Sequence, residues 1–178
     1  CDFNAYAGLD HLASPYVSAL LREAELAAPG WSGDEIVSVF LGGGTPTTLE
    51  VADLKALLAR LRQRYSVAPD AEVTIEANPD TVDRLKFEGL LEAGFTRLSM
   101  GAQSFDPAVL ASLERLHDPA SVRRAMRDAR AAGYANVNLD LIYGADGEGI
   151  ESWERTLRET VDLAPEHVAR IKELAREG

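Results

Sequence analysis

Short apolar runs rich in β-branched residues alternate with helical segments along this chain of 178 residues. Two of the helix-to-strand junctions resemble each other: EAGFTRLSMG at 92–101 and AAGYANVNLD at 131–140. Each places a glycine just after a helix, where a left-handed backbone is needed, and then an aromatic residue and a buried strand. Strands that alternate with helices through short connections form βαβ units and a parallel sheet. The sequence therefore predicts either a doubly wound sheet or a whole or partial β/α barrel.

The spacing of the apolar residues sets the bounds of these elements. It predicts helices at 14–28, 51–65, 81–93, 107–116 and 121–132, and strands at 36–41, 73–77, 96–101 and 137–143. The end of the chain, ARIKELAREG together with the preceding Val168, has a charged helical pattern through Val168, Ile171 and Leu174, which counts against a further strand there. No linker or low-complexity segment interrupts this order, and a single domain is expected over 1–178.

Charge and composition restrict the partners of the chain. It has 18 basic and 29 acidic residues, a net charge of −11, and the basic residues are scattered, which counts against nucleic acid. No apolar stretch reaches the roughly 20 residues of a membrane span, and the N-terminus lacks the pattern of a signal peptide, so a cytoplasmic protein is expected. The single cysteine, Cys1, excludes an internal disulfide. Because the chain begins CDFNAY without a methionine, it is expected to be a fragment of a longer protein.

Glycine or polar residues lie at the end of each predicted strand. The first strand ends in GGGTP at 42–46, the second in Glu76 and the third in Gln103, and the fourth contains Asp140. Taken singly, each has an ordinary explanation, such as a tight turn for the glycines, a helix cap for Glu76 or a loop anchor for Asp140. The carboxyl ends of parallel strands share one edge, however, and ligands bind at that edge. Together they predict a ligand site, and the lack of a lysine beside the glycines counts against a nucleotide phosphate.

Five segments of the sequence together resemble one known family. They are CDFNAY, LGGGTPT, TIEANPDTVD, RLSMGAQSFDPAVLASLERLH and NLDLIYG. In this order they resemble radical SAM enzymes of the oxygen-independent coproporphyrinogen III oxidase type, and in particular the HemW-like heme chaperone branch. The resemblance runs from Cys1 to Val168 and implies an α/β fold, a partial (β/α) barrel of the radical SAM type with parallel strands and outer helices, truncated at both ends. The first strand, two cluster cysteines and the C-terminal domain of the family would then lie outside 1–178.

The resemblance implies two cofactors. The CxxxCxxC motif of the family holds a 4Fe-4S cluster and leaves one iron open for S-adenosylmethionine. Cys1 matches the third of these cysteines, and since one thiolate cannot hold such a cluster, the cluster would belong to the intact parent protein and not to this chain alone. In the family, one electron from the cluster cleaves S-adenosylmethionine to methionine and a 5′-deoxyadenosyl radical, and heme or another tetrapyrrole is the expected further partner.

The resemblance also assigns a set of binding residues, none of them a general base. The positions that match the S-adenosylmethionine contacts of the family are Gly43, Gly44, Thr45, Glu76, Gln103, Arg115 and Asp140. The glycine segment and Glu76 match the residues around the methionyl ammonium. Gln103 and Asp140 match contacts to the nucleoside, where an amide and a carboxylate can bind ribose hydroxyls. Arg115 matches the arginine that pairs with the methionyl carboxylate.

One departure bears on the branch of the family. Coproporphyrinogen oxidases carry another cysteine two residues after the third cluster cysteine, where this chain has Phe3, so heme binding or transfer is expected rather than oxidation of a porphyrinogen. A porphyrinogen-oxidising enzyme is the alternative, and a β/α fragment that binds another nucleotide is a third interpretation. His11, His117 and His167 are candidate heme ligands, although histidines are more often surface or capping residues.

Overall fold

The computed structural model of the protein describes residues 8–31 and 33–173. Cys1, Phe3 and Leu174, which the sequence argument used, lie outside these residues. The helices are α1 (Ala13–Ala27), α2 (Val51–Arg64), α3 (Arg84–Ala93), α4 (Pro107–Ser112), α5 (Pro119–Ala132) and α6 (Ile150–Asp162). The strands are β1 (Glu35–Leu41), β2 (Ser66–Ala77), β3 (Arg97–Gln103), β4 (Val137–Tyr143) and β5 (His167–Lys172). No helix in the described part of the chain is both long and apolar enough to span a membrane.

The five strands form one parallel sheet in the order β1-β2-β3-β4-β5. A doubly wound sheet reverses its strand order at a switch point, whereas a β/α barrel adds each strand beside the previous one. Neighbouring helices also contact one another in a row, α1 with α2, α2 with α3 and α3 with α5. The fold is therefore a partial β/α barrel with outer helices, and the barrel alternative of the sequence prediction is confirmed.

The hydrophobic core lies between the sheet and the helices. Alternate residues of β2, β3 and β4 point into it and are fully buried; they are Val73, Ile75, Leu98, Met100, Leu139 and Leu141. Burial of each of these side chains stabilises the fold by about 1.5–3 kcal/mol. Because successive strand residues face opposite sides, the intervening residues lie on the concave face, and they are mainly polar.

Most predicted elements are confirmed, with shifted ends. Gly94 and Gly133 follow their helices with φ of 103° and 106°, as the repeated junction predicted. The second strand is longer than predicted and begins at Ser66. Its first part was missed because it contains Pro69, which lies in an irregular stretch between the pairs Ile36–Val67 and Ser38–Glu72. The predicted helix at 107–116 ends at Ser112.

The helical pattern at the end of the chain counted against a further strand, and for the described residues this prediction is wrong. His167–Lys172 instead forms β5, which pairs in parallel with β4 along its whole length. Glu166 aligns its start, since its Oε2 accepts a hydrogen bond from Val137 N at 2.8 Å and its carboxylate pairs with Arg130. The free edge of β4 offers backbone partners that no local pattern in residues 167–172 reveals, so tertiary pairing overrides the helical spacing. Helix α6 was not predicted.

Candidate functional site at the carboxyl edge of the sheet

The glycine turn after β1 contacts the end of β2. Gly43 N donates a hydrogen bond to Glu76 Oε2 at 2.9 Å, which joins two residues 33 positions apart in the chain. The absence of a side chain at Gly42 leaves room for the Glu76 carboxylate beside the turn. A Cβ at this position would lie 3.1 Å from Glu76 Cδ and would also clash with Phe40 Cε1. Gly43 has φ of 135°, a conformation that favours glycine. The predicted proximity of the glycine turn and Glu76 is confirmed.

Asp140 belongs to a closed hydrogen-bonded triangle on the concave face. Ser99 Oγ donates to Asp140 Oδ2 at 2.9 Å, and Asn138 Nδ2 donates to Asp140 Oδ1 at 2.7 Å and to Ser99 Oγ at 2.9 Å. Burial raises the pKa of the Asp140 carboxyl, and the bonds from Ser99 and Asn138 oppose that shift only in part. Each oxygen of this carboxyl therefore has one fixed donor and a further lone pair that can accept a ligand hydroxyl.

Gln103 ends β3 in a strained conformation. Its φ is 62°, and the pairing with β4 shifts register between Gly101 and Gln103, which marks a bulge. The side chain folds back over the strand, since a Cβ at Gly101 would lie only 2.7 Å from Gln103 Nε2. Gly101 pairs in register with Asp140, so the Gln103 amide and the Asp140 carboxyl lie over adjacent strands. The structure brings these two predicted residues together.

Arg115 lies in the turn between α4 and α5, and its side chain is partly buried. Its Nε is buried and has no hydrogen-bond partner among the described residues. A buried guanidinium nitrogen without an acceptor is costly, and the group that satisfies it best is a carboxylate or another anion. This orphaned donor fits the expected role of Arg115 toward an anionic ligand.

Sequence reasoning missed three residues that support the site: Ser99, Asn138 and Gly101. Each lies on the concave face of its strand: Gly101 and Asn138 are two residues before a predicted site residue, and Ser99 is four residues before one. The signal that could have found them is the alternation of polar and apolar residues in RLSMGAQ and VNLDLIY, because every polar position there falls on the face opposite the core.

The site residues fit S-adenosylmethionine better than they fit a metal. Within residues 8–31 and 33–173, no group of three His, Cys, Asp or Glu side chains is arranged to hold a metal ion, and Cys1 lies outside them. The donors and acceptors described above, by contrast, match an amino-acid and a ribose moiety: a glycine-bound carboxylate, an amide, a hydrogen-bonded carboxyl and an unpaired guanidinium.

An apolar cavity of about 610 Å³ lies beside the glycine turn, between α1 and α2. Its lining includes Tyr16, Leu20 and Leu57 together with the turn itself, but none of Glu76, Gln103, Arg115 and Asp140. The cavity thus borders the helix side of the glycine turn, and the polar strand ends lie outside it.

Comparison with known proteins identifies the family of the chain. The family model of the radical SAM superfamily matches residues 1–160, and the chain belongs to this superfamily. The heme chaperone HemW of Mycobacterium tuberculosis is 41% identical over 95% of the chain and 44% of its own length, and HemW of Escherichia coli is 36% identical over 95% and 45%. The structure of coproporphyrinogen III oxidase (HemN) from Escherichia coli, a radical SAM enzyme, superposes with a TM-score of 0.88 at 32% identity, over 98% of the chain and 40% of that protein. The chain spans less than half the length of these relatives.

The superfamily match confirms the resemblance that the five segments carried, and the superposition confirms the partial barrel. Membership implies a 4Fe-4S cluster and S-adenosylmethionine as cofactors of the family.

Proposed function

We propose that the carboxyl edge of the sheet binds S-adenosylmethionine, and that the chain is part of a HemW-like heme chaperone. The observation that carries the proposal is the hydrogen bond from Gly43 N to Glu76 Oε2. It fixes one carboxylate oxygen against the glycine turn and leaves the other oxygen to accept from an ammonium group. A cationic amino group needs acceptors, and a charge-assisted hydrogen bond to a carboxylate is about twice as strong as a neutral one. The carbonyls of Gly43 and Gly44 and the hydroxyl of Thr45 would supply the remaining acceptors, because Thr45 O already accepts from Thr48 N at 3.0 Å and from Thr48 Oγ1 at 2.8 Å.

The other end of the amino-acid moiety would pair with Arg115. Its buried Nε has no acceptor within the described residues, and a methionyl carboxylate would satisfy it. The ribose would lie over β3 and β4, where the Gln103 amide can donate and the Asp140 carboxyl can accept from a hydroxyl. Ser99 and Asn138 would hold the Asp140 carboxyl in one orientation, since both donate to it.

The radical chemistry would depend on residues beyond those described. Cys1 would supply one thiolate, and two further cysteines would come from a preceding segment of a longer parent protein. A reduced 4Fe-4S cluster and S-adenosylmethionine, when bound together, would supply one-electron chemistry. The chain's own residues would bind and orient the ligand and exclude water from it.

Two observations support a chaperone over an oxidase. The relatives at 41% and 36% identity are heme chaperones, and Phe3 replaces the additional cysteine of the oxidases. The superposition on HemN keeps porphyrinogen oxidation as the second candidate function, because that structure matches with a TM-score of 0.88.

Calorimetric titration of the chain with S-adenosylmethionine tests the site. The Glu76→Gln and Arg115→Ala variants are expected to weaken binding at least about tenfold, because each removes a hydrogen bond to a charged group. Glu72→Gln is the matched control: Glu72 lies on the same face of β2, four residues earlier, and contacts Thr74 and Arg97. Equal affinity for all the variants would refute the site assignment.

The longer parent protein tests the choice of function. After anaerobic reconstitution with iron and sulfide, heme uptake without turnover of coproporphyrinogen III would support the chaperone. Oxidation of coproporphyrinogen III together with release of 5′-deoxyadenosine would support the enzyme instead.

A further inference from the structure

His117 is a buried histidine next to the site, with 4% of its surface exposed. Its Nε2 lies 3.0 Å from the backbone oxygen of Ala102. A carbonyl oxygen can only accept a hydrogen bond, so Nε2 carries the proton and donates. His11 and His167, in contrast, are exposed. The side chain of His117 thus makes a specific bond inside the protein, to the residue directly before Gln103.

The bond reaches a strained turn. Ser104 N also donates to Ala102 O, at 2.7 Å, and closes a γ-turn around Gln103. Because Gln103 has φ of 62°, this is the rare, strained form of the γ-turn. Such a conformation persists only where its surroundings hold it, and strain of this kind clusters at ligand sites. His117 supplies the second hydrogen bond to the carbonyl on which the turn closes.

The same side chain anchors the turn that carries Arg115. Between α4 and α5 the backbone reverses at Glu114, with φ of 55°, and Arg115 N donates to Leu110 O at 2.9 Å. Leu116, the next residue, is 99% exposed, so it contributes no packing. His117 then enters the protein interior. It is the fully buried residue of this turn and lies two positions after Arg115.

We propose that His117 is a positioning residue of the S-adenosylmethionine site. Through one buried hydrogen bond it ties the turn that carries Arg115 to the strand end that carries Gln103, so that the two ligand contacts keep a fixed separation. This role rests on the proposed function, although the link itself is a property of the protein without ligand.

The far side of the Gln103 turn has a separate anchor on α6. Thr156 Oγ1 is buried, accepts a hydrogen bond from Phe105 N at 3.1 Å and contacts Ser104 Oγ at 3.1 Å. Loss of the His117 bond should therefore increase the mobility of residues 102–104 and of the turn that carries Arg115. Phe105 should stay ordered, because its hydrogen bond to Thr156 remains. A general loosening of the fold would not produce this local pattern.

Two variants of His117 separate positioning from packing. His117→Leu keeps most of the volume and removes the donor, whereas the Nε2 of glutamine in His117→Gln can reach the same carbonyl. Val122→Ala is the control for lost stability, because Val122 is a fully buried core residue on α5 and is not one of the site residues. Each variant is melted by circular dichroism, mapped by hydrogen exchange and titrated with S-adenosylmethionine.

His117→Leu is expected to speed amide exchange in 102–104 and 113–117 without changing Phe105, and to weaken S-adenosylmethionine binding roughly tenfold or more. His117→Gln should return the exchange rates and the affinity toward the wild-type values. Val122→Ala should lower the melting temperature without changing the affinity. The proposal is overturned if exchange in these segments is unchanged in His117→Leu. It is equally overturned if Val122→Ala and His117→Leu have the same melting temperature and weaken binding to the same extent. If the wild-type chain does not bind S-adenosylmethionine, the proposed function fails, and the exchange pattern still decides whether His117 holds the two segments together.

Discussion

Gly101→Ala should weaken ligand binding without weakening the fold. An alanine Cβ at this position would lie 2.7 Å from Gln103 Nε2, and the nearest backbone atom, Ala77 O, is 3.9 Å away. The amide end of the flexible Gln103 side chain must therefore move, by roughly 1 Å, to reach an ordinary van der Waals distance from the new Cβ. Residue 101 lies in β3 and does not have a positive φ, so alanine can adopt its backbone conformation and removes freedom from the unfolded chain.

The size of the effect follows from the bond that is lost. If the displaced amide loses one hydrogen bond to the ligand, about 0.5–1.5 kcal/mol of binding free energy disappears, which is roughly a two- to tenfold rise in Kd. The free energy of unfolding should stay equal to that of the wild type or rise by up to about 1 kcal/mol. Calorimetric titration with S-adenosylmethionine and urea denaturation measure the two quantities.

A double variant tests whether Gly101→Ala acts only through the Gln103 side chain. Because both changes act on one amide, Gly101→Ala combined with Gln103→Ala should bind no more weakly than Gln103→Ala alone. Additive losses would show that the alanine disturbs something other than Gln103. A drop of several kcal/mol in the free energy of unfolding would refute the claim that only the side chain moves.

Two further predictions concern stability. The folded-state pKa of Asp140 is raised by burial, so its contribution to folding is fully present below the unfolded pKa of about 3.9 and is lost as pH rises through the folded pKa. Urea denaturation at several pH values should therefore show Asp140→Asn gaining stability relative to the wild type as pH rises, and a constant difference would contradict the direction of the shift. Glu166→Ala removes the acceptor of Val137 N and should lower the free energy of unfolding by about 1–2 kcal/mol, measured with urea. Glu154→Ala, which breaks an exposed ion pair with Arg158, should change it by less than about 0.5 kcal/mol, and equal losses in the two variants would argue against the role of Glu166 at the start of β5.

Local patterns predicted the central elements well because their signals are local. The strand at 137–143 was predicted at its observed bounds, and Gly94 and Gly133 at their left-handed positions, since an apolar run and a helix-ending glycine act over a few residues. The site residues Glu76, Gln103 and Asp140 were predicted to share one edge, which follows from their places at the ends of parallel strands. Their roles as ligand contacts stay predictions.

The sequence by itself determined the β/α alternation, the polar edge and the family, because periodicity, glycine positions and motif order are properties of the chain alone. Only the tertiary structure decided that His167–Lys172 is a strand, since its partners are the backbone groups of β4. The same holds for the bond between His117 and Ala102, two residues 15 positions apart that meet because the turn between α4 and α5 returns to the end of β3. Contacts of this kind depend on which surfaces the fold brings together, and no spacing within one segment records them.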